Sequence, residues 1–258
     1  MMTQPNWAAG PSQIRVAKTK QGRKKRGSSQ EREPQSPCIR HDRNVNTGLR
    51  LQPGPKNFLA VRLPEKIVTE RLLLSWPTEV DADEMFARYA SDPEVTRYVR
   101  FLTHHSVEDT RAFIEEVNAL RPAGTDFVWL VRERSTGILL GAIGVHAMPR
   151  AAVEIGYCYA RDAWGRGIAT EAACAVVEIV FGDEKIRRIF ATCAPENAAS
   201  ARVLEKAGLA YECTLRRHVV LGNLDGEPHD AMRYGLVRNP LRKKKPSGGR
   251  CSRRVKHK

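Results

Sequence analysis

The residues from 153 to 172 offer the best-defined chemistry in this chain, reading as a strand, a turn holding Gly165 and Gly167, and a helix. In the strand, alternation sets Glu154 on one face with Ala152, Gly156 and Cys158, while Val153, Ile155, Tyr157 and Tyr159 take the other. A carboxylate among small neighbours has room beside it for a proton donor and suits a general base. The plainer alternative is a carboxylate satisfied by an arginine from a neighbouring strand. Gly165 and Gly167 stand where the turn enters the helix, and glycine there lets the backbone approach a ligand closely. The first helical turn also carries N–H groups without intrahelical partners, at the positive end of the helix dipole. Together these make a ready pyrophosphate site. The spacing is neither G-x-G-x-x-G nor a P-loop, which argues against a nicotinamide or ATP enzyme.

Further candidates are spread along the chain. Asn197 follows a strand and precedes a helix, so its plain role is N-cap, with Ser200 at the third helical position. Arg97, Tyr98, His104 and His105 lie between two helical segments; a histidine pair in such a loop is expected at the surface, and His146 on a strand is expected to be structural. The polar loop from 222 to 230 ends at Asp230 and receives no chemical role.

Positioning these groups falls to a regular succession of elements. A strand is expected over 67–74 and a helix from Thr78 on. A second helix is expected over 106–120, with Ser106 as N-cap and Asp109 three residues on. Apolar runs at 127–132 and 138–145, joined by five residues ending in Gly137, read as a hairpin. A strand at 153–159, a helix at 168–181, a strand at 188–194 and a helix at 198–207 closed by Gly208 follow. Two last strands are expected near 211–220 and 230–237. This order implies an α/β (α+β) domain, a mixed sheet with helices on its faces, over 67–238.

Three of these stretches resemble one family. Trp164-Gly165-Arg166-Gly167-Ile168-Ala169-Thr170-Glu171-Ala172 is similar to the coenzyme A loop of the GNAT acetyltransferase superfamily, and more narrowly to its RimJ/RimL branch of ribosomal-protein N-terminal acetyltransferases. Thr69-Glu70-Arg71-Leu72-Leu73-Leu74 matches that branch's opening strand, and Asn197, Ser200, Val203-Leu204-Glu205-Lys206 and Gly208 match its second half. The resemblance implies a mostly antiparallel GNAT sheet and an acetyl-CoA-dependent N-acetyltransferase that needs no metal. It implies that Trp164, Gly165, Arg166, Gly167, Ile168 and Ala169 cradle the pyrophosphate through backbone N–H groups, and that the strand through Cys158 and Tyr159 pairs with the pantetheine arm. By the same resemblance Glu154 is the catalytic base, Asn197 contacts the coenzyme, and Ser200 donates to the departing thiolate. The tyrosine that many relatives use as general acid is replaced by Leu204, which leaves the acid unassigned. The acceptor is either a protein N-terminus or a small-molecule amine. The rival reading keeps the glycine cradle but makes the chain a non-catalytic acyl-CoA-binding regulatory module.

Composition narrows the setting. The net charge of +14 belongs to the ends: residues 1–60 and 241–258 each carry a net +9, whereas 61–240 hold 22 basic and 26 acidic residues. Both ends read as disordered basic segments. Their clusters carry no interleaved aromatic groups, so RNA or ribosome contact would be weak, non-specific phosphate attraction. The six cysteines form no C-x-x-C pair and suggest buried thiols in a reducing cytoplasm. No run of 18 apolar residues indicates a membrane span. A monomer and a homodimer are both compatible with the pattern.

Overall fold

The computed structural model describes residues 60–238. The basic tail from 241, and all but the last residue of the expected extension 1–60, lie outside the described residues. One eight-stranded sheet runs through the molecule in the order β1-β2-β3-β4-β5-β6-β8-β7. The strands are β1 (Lys66–Val68), β2 (Leu72–Ser75), β3 (Asp126–Glu133), β4 (Leu139–Met148), β5 (Ala152–Tyr159), β6 (Arg188–Cys193), β7 (Ala210–Val220) and β8 (Pro228–Val237). Every neighbouring pair is antiparallel except β5 and β6.

The single strand expected over 67–74 is instead a tight hairpin, with Lys66 opposite Ser75 and Val68 opposite Leu73. The turn residues Thr69 and Arg71 leave the strand register because both bind Glu171, a hundred residues away. The helix signal from Thr78 is also broken up. A 3-10 turn at Glu79–Asp81 leads into the short α1 (Ala82–Met85), a π turn over Phe86–Ala90 and α2 (Pro93–Thr96). Asp92 caps α2 by accepting the Glu94 N–H at 2.9 Å, and Pro93 at the first helical position needs no donor partner. Helix α3 (Val107–Leu120) begins as its sequence dictates. Ser106 Oγ accepts the Asp109 N–H, and Asp109 reaches back to the Ser106 N–H at 2.9 Å.

Helices α4 (Ile168–Val180) and α5 (Ala198–Lys206) cover one face of the sheet. The larger core lies there, where Val153 and Ile155 of β5 and Ile143 and Val145 of β4 meet Ile168, Ala172 and Val176 of α4. Each such side chain is fully or nearly fully buried, stabilising the fold by roughly 1.5–3 kcal/mol for the larger ones. Val61 and Leu63, ahead of the first strand, also enter this core. On the opposite face α1 and α3 pack Met85, Ile114 and Val117 against Val128 and Leu130 of β3. They cover only one end of that face. The other end, where Glu154 stands, borders a cleft beneath the segment that carries Arg100.

Candidate active site

The parallel pair β5–β6 positions the site by ending early. Ala152, Val153 and Glu154 pair with Arg188, Ile189 and Phe190, and pairing stops there. Beyond Glu154, β5 continues to Tyr159 paired with β4 alone, while β6 continues to Cys193 paired with β8. The strands therefore part, and from Gly156 to Tyr159 one edge of β5 faces a cleft of about 580 Å³. A backbone edge without a neighbouring strand is a template for an extended ligand. A Cβ built on Gly156 would meet no protein atom within 4 Å, so the cleft is open at that position.

The turn after β5 closes one end of the cleft. Gly165 and Gly167 adopt φ of 71° and 77°, a left-handed conformation open to glycine at little cost, and Gly167 is the N-cap residue of α4. Among the described residues, none of the N–H groups from Gly165 to Thr170 donates to a backbone or side-chain acceptor; the ladder of α4 begins with the Glu171 N–H on the Gly167 carbonyl. Gly165, Gly167, Ile168, Ala169 and Thr170 line the cleft. The Trp164 N–H, expected in the same row, donates instead to the Arg161 carbonyl at 3.1 Å; the remaining donors of the row are free, and all of them but Arg166 belong to residues that line the cleft.

The flanking residues hold the turn in shape. Trp164 is half exposed, and its indole Nε1 donates to the Tyr159 carbonyl at 2.7 Å. The Arg166 guanidinium turns away to Glu133, leaving its backbone as the part that faces the turn. Glu171, on the first turn of α4, accepts from Thr69 Oγ1 at 2.6 Å, Arg71 N at 3.0 Å and Arg71 Nε at 2.6 Å, while Arg71 Nη1 reaches the Arg166 carbonyl at 3.0 Å. Two motifs that stand a hundred residues apart are therefore one structural unit.

On the far wall, Asn197 caps α5 as expected, accepting the Ser200 N–H at 3.0 Å. Ser200 Oγ lies 3.0 Å from the Tyr157 hydroxyl, a contact that strand alternation did not reveal. Burial raises the Tyr157 pKa, so the hydroxyl stays protonated and able to donate. Leu204, in place of a tyrosine, is fully buried and takes no part in the cleft's polar chemistry. Burial pushes the Cys158 thiol up to about 12, which keeps it a neutral lining group.

Glu154 faces the cleft from the predicted side of β5, but it is only 7% exposed and not alone. Arg100 Nη2 donates to its Oε1 at 2.6 Å and Nη1 to its Oε2 at 3.2 Å; Thr192 Oγ1 adds a bond of 3.1 Å. The arginine comes from the loop after α2 and not from a neighbouring strand. Burial alone would raise the carboxyl pKa, but the Arg100 charge and hydrogen bonds, helped by His146 and Thr192, hold it below the usual carboxylate range. His146 sits opposite Glu154 in the ladder and pairs with Asp126 at 2.9 Å. His104, expected at the surface, is instead buried, with Nδ1 2.8 Å from Thr110 Oγ1; its neighbour His105 is exposed. Asp230 accepts from Arg216 and from the Arg217 N–H, away from Glu154. Among the described residues no cluster of His, Cys, Asp and Glu suits a metal ion.

The acetyltransferase (GNAT) domain family matches residues 71–210, more than half of the chain. The chain belongs to the GNAT acetyltransferases. It is 34% identical over 172 residues to the uncharacterized N-acetyltransferase YoaA of Bacillus subtilis, an alignment that covers 66% of this chain and 95% of YoaA. A GNAT-family acetyltransferase from Bacillus anthracis has a similar crystal structure, with 30% identity, a TM-score of 0.58, and coverage of 67% of this chain and 98% of that one. RimL, a ribosomal L7/L12 alpha-N-protein acetyltransferase solved with coenzyme A, shares the fold at 20% identity and a TM-score of 0.59, over 66% of this chain and 96% of RimL. The chain is accordingly an acetyl-CoA-dependent N-acetyltransferase. The free amides at the α4 N-terminus, and the unpartnered edge of β5 beside them, fit such a cosubstrate.

Proposed function

We propose that the domain over 67–238 moves the acetyl group of acetyl-CoA to a primary amine by direct attack in a ternary complex, with a protein N-terminus as acceptor. The amides of Gly165 to Ala169 hold the diphosphate, Asn197 flanks the arm of the coenzyme, and the Cys158–Tyr159 edge of β5 aligns the thioester. The observation that carries this reading is the junction of three features in one cleft: the free amide row, the parted strand edge and the Glu154 carboxylate.

Glu154 is poorly matched to deprotonate a free ammonium, because its pKa is held low. It can accept a hydrogen bond from a neutral amine and take the proton once attack on the thioester has made that nitrogen acidic. Ser200 Oγ–H, backed by the Tyr157 hydroxyl, donates to the sulfur as the C–S bond breaks. This arrangement favours an amine that is neutral near pH 7. An α-amino group, with a pKa of about 7.7–8.0, qualifies far better than a lysine-like amine at about 10.4. Charge points the same way. The acids lining the cleft are Glu94 and the already paired Glu154, whereas Arg97, Arg100, Arg202 and Lys206 line it too, so no acidic pocket awaits a polyamine or an aminoglycoside. This supports placement in the RimJ/RimL branch.

None of the described cysteines forms a disulfide, which suits a reducing cytoplasm; no helix among the described residues is long and apolar enough to cross a membrane. The test is a screen of N-terminal peptides, polyamines, aminoglycosides and amino acids, read by release of the coenzyme thiol. Peptides should lead it; preferential turnover of a polycation would contradict the acceptor assignment.

A further inference from the structure

Glu154 is held from above by a loop that contributes nothing to the coenzyme cradle. We propose that Arg100 is a positioning residue of the transfer, keeping Glu154 ionised and aimed into the cleft, and that Asn223 sets Arg100 in place by clamping its loop. The proposal rests on the reading of Glu154 as proton acceptor.

The geometry around the carboxylate is two-pronged. Arg100 touches both oxygens, and its Nη2 also donates to Thr192 Oγ1 at 3.0 Å. A planar guanidinium bound this way fixes the plane of the carboxylate as well as its charge, which a lysine or a lone hydroxyl cannot do. The other charged or titratable groups on this face are accounted for. His146 of β4, across the ladder from Glu154, is paired with Asp126. Arg233 of β8 stands opposite Thr192 and stacks over the Phe190 ring at 4.8 Å. Glu94 lines the cleft from α2. Arg100 gives Glu154 two hydrogen bonds, and His146 acts on it through its charge.

Arg100 sits in a segment without regular structure, so something must hold it. Asn223, more than a hundred residues away, makes four bonds to that segment. Its Oδ1 accepts from the Thr103 N–H at 2.8 Å and from Thr103 Oγ1 at 3.1 Å; its Nδ2 donates to the carbonyls of Thr96 at 2.8 Å and Phe101 at 2.7 Å. The amide thus bridges both ends of the stretch that carries Arg100 and uses its own hydrogen-bonding capacity fully. A polar loop that the sequence left without a role becomes the fastener of the acceptor side.

Without Arg100 the carboxylate would remain buried, with the Thr192 hydroxyl bonded to it and His146 beside it, and burial would drive its pKa up. The experiment is a pH titration of the full chain labelled with 13C at the glutamate carboxyl, the Glu154 signal being the one absent from Glu154→Gln. In the wild type its midpoint should lie below the ordinary glutamate value of about 4.3. In Arg100→Met it should rise by about one unit or more, in Arg100→Lys it should return part of the way, and in Asn223→Ala it should move in the same direction as in Arg100→Met by a smaller amount. Thiol release with the leading peptide of the acceptor screen should fall at least about tenfold in Arg100→Met, while coenzyme affinity stays as in the wild type. An unmoved Glu154 midpoint in the Arg100 variants overturns the proposal, and an unmoved midpoint in Asn223→Ala overturns the clamp. Should Arg100→Met not fold, Arg100→Lys and Asn223→Ala decide the matter. Undiminished transfer by Glu154→Gln would overturn the underlying reading of Glu154 itself, a result separable from the position of the midpoints.

Discussion

At the scale of single residues, the chemistry depends on groups whose ordinary properties have been altered by what they touch. Glu154 is the clearest case: sequence alternation placed it on the correct face, but a single strand cannot say which cation will arrive from a distant loop. Replacing Glu154 by Gln removes the proposed proton acceptor and leaves the shape, and the turnover rate should fall by about 10²–10³ while the coenzyme dissociation constant stays within about twofold. Steady-state thiol release and calorimetry together check this. Ser200 was legible as a position but not as part of a pair, because Tyr157 appeared on the face turned from Glu154. Its hydroxyl reaches Ser200 Oγ from that face. Tyr157→Phe should lower turnover by several-fold, on the order of the 1 kcal/mol of one hydrogen bond, without weakening coenzyme binding. An equal loss in both would instead mark Tyr157 as a packing residue.

At the scale of elements, the turn proposed to hold the coenzyme is a left-handed entry into α4 pinned by the opening hairpin. Gly167 at φ 77° would force any other residue into strain of about 1–3 kcal/mol. Gly167→Val should therefore weaken coenzyme binding about tenfold or more, measurable by calorimetry. Glu171 explains why the opening motif and the coenzyme motif occur together: it satisfies the Thr69 hydroxyl and both the backbone and side chain of Arg71. Helix and strand periodicity could locate each motif but not this contact, since nothing in local spacing records a partner a hundred residues away. The same limit hid His104. Burial lowers its pKa, and its ring bonds Thr110. The unfolded chain then binds more protons than the folded one below about pH 6.5, so stability is full above that value and is lost as the pH falls. Melting temperatures at pH 7.5 and 5.5 should drop more in the wild type than in His104→Asn; equal drops would contradict the assignment.

At the scale of the molecule, most of the sheet was readable because its strands alternate or run apolar between clear turns, and α3 and α5 carry their own caps. The first sixth of the described chain was not. There, an apparent strand is a hairpin held by Glu171, and an apparent helix is cut into 3-10, α and π turns by packing against β3 and β4. The parting of β5 from β6 left no mark in composition or periodicity; the family resemblance alone implied a free strand edge at Cys158 and Tyr159, and the site depends on it. Val61 and Leu63 lie in the core, so a protein starting at 67 should melt at a lower temperature than one starting at 60. The central claim is that the amides opening α4 grip the diphosphate of the coenzyme. A crystal structure of the full chain with acetyl-CoA tests it most directly. The account predicts diphosphate oxygens about 2.7–3.2 Å from the nitrogens of residues 165–169, with the thioester beside Gly156; a diphosphate bound elsewhere, with those amides still free, would contradict it.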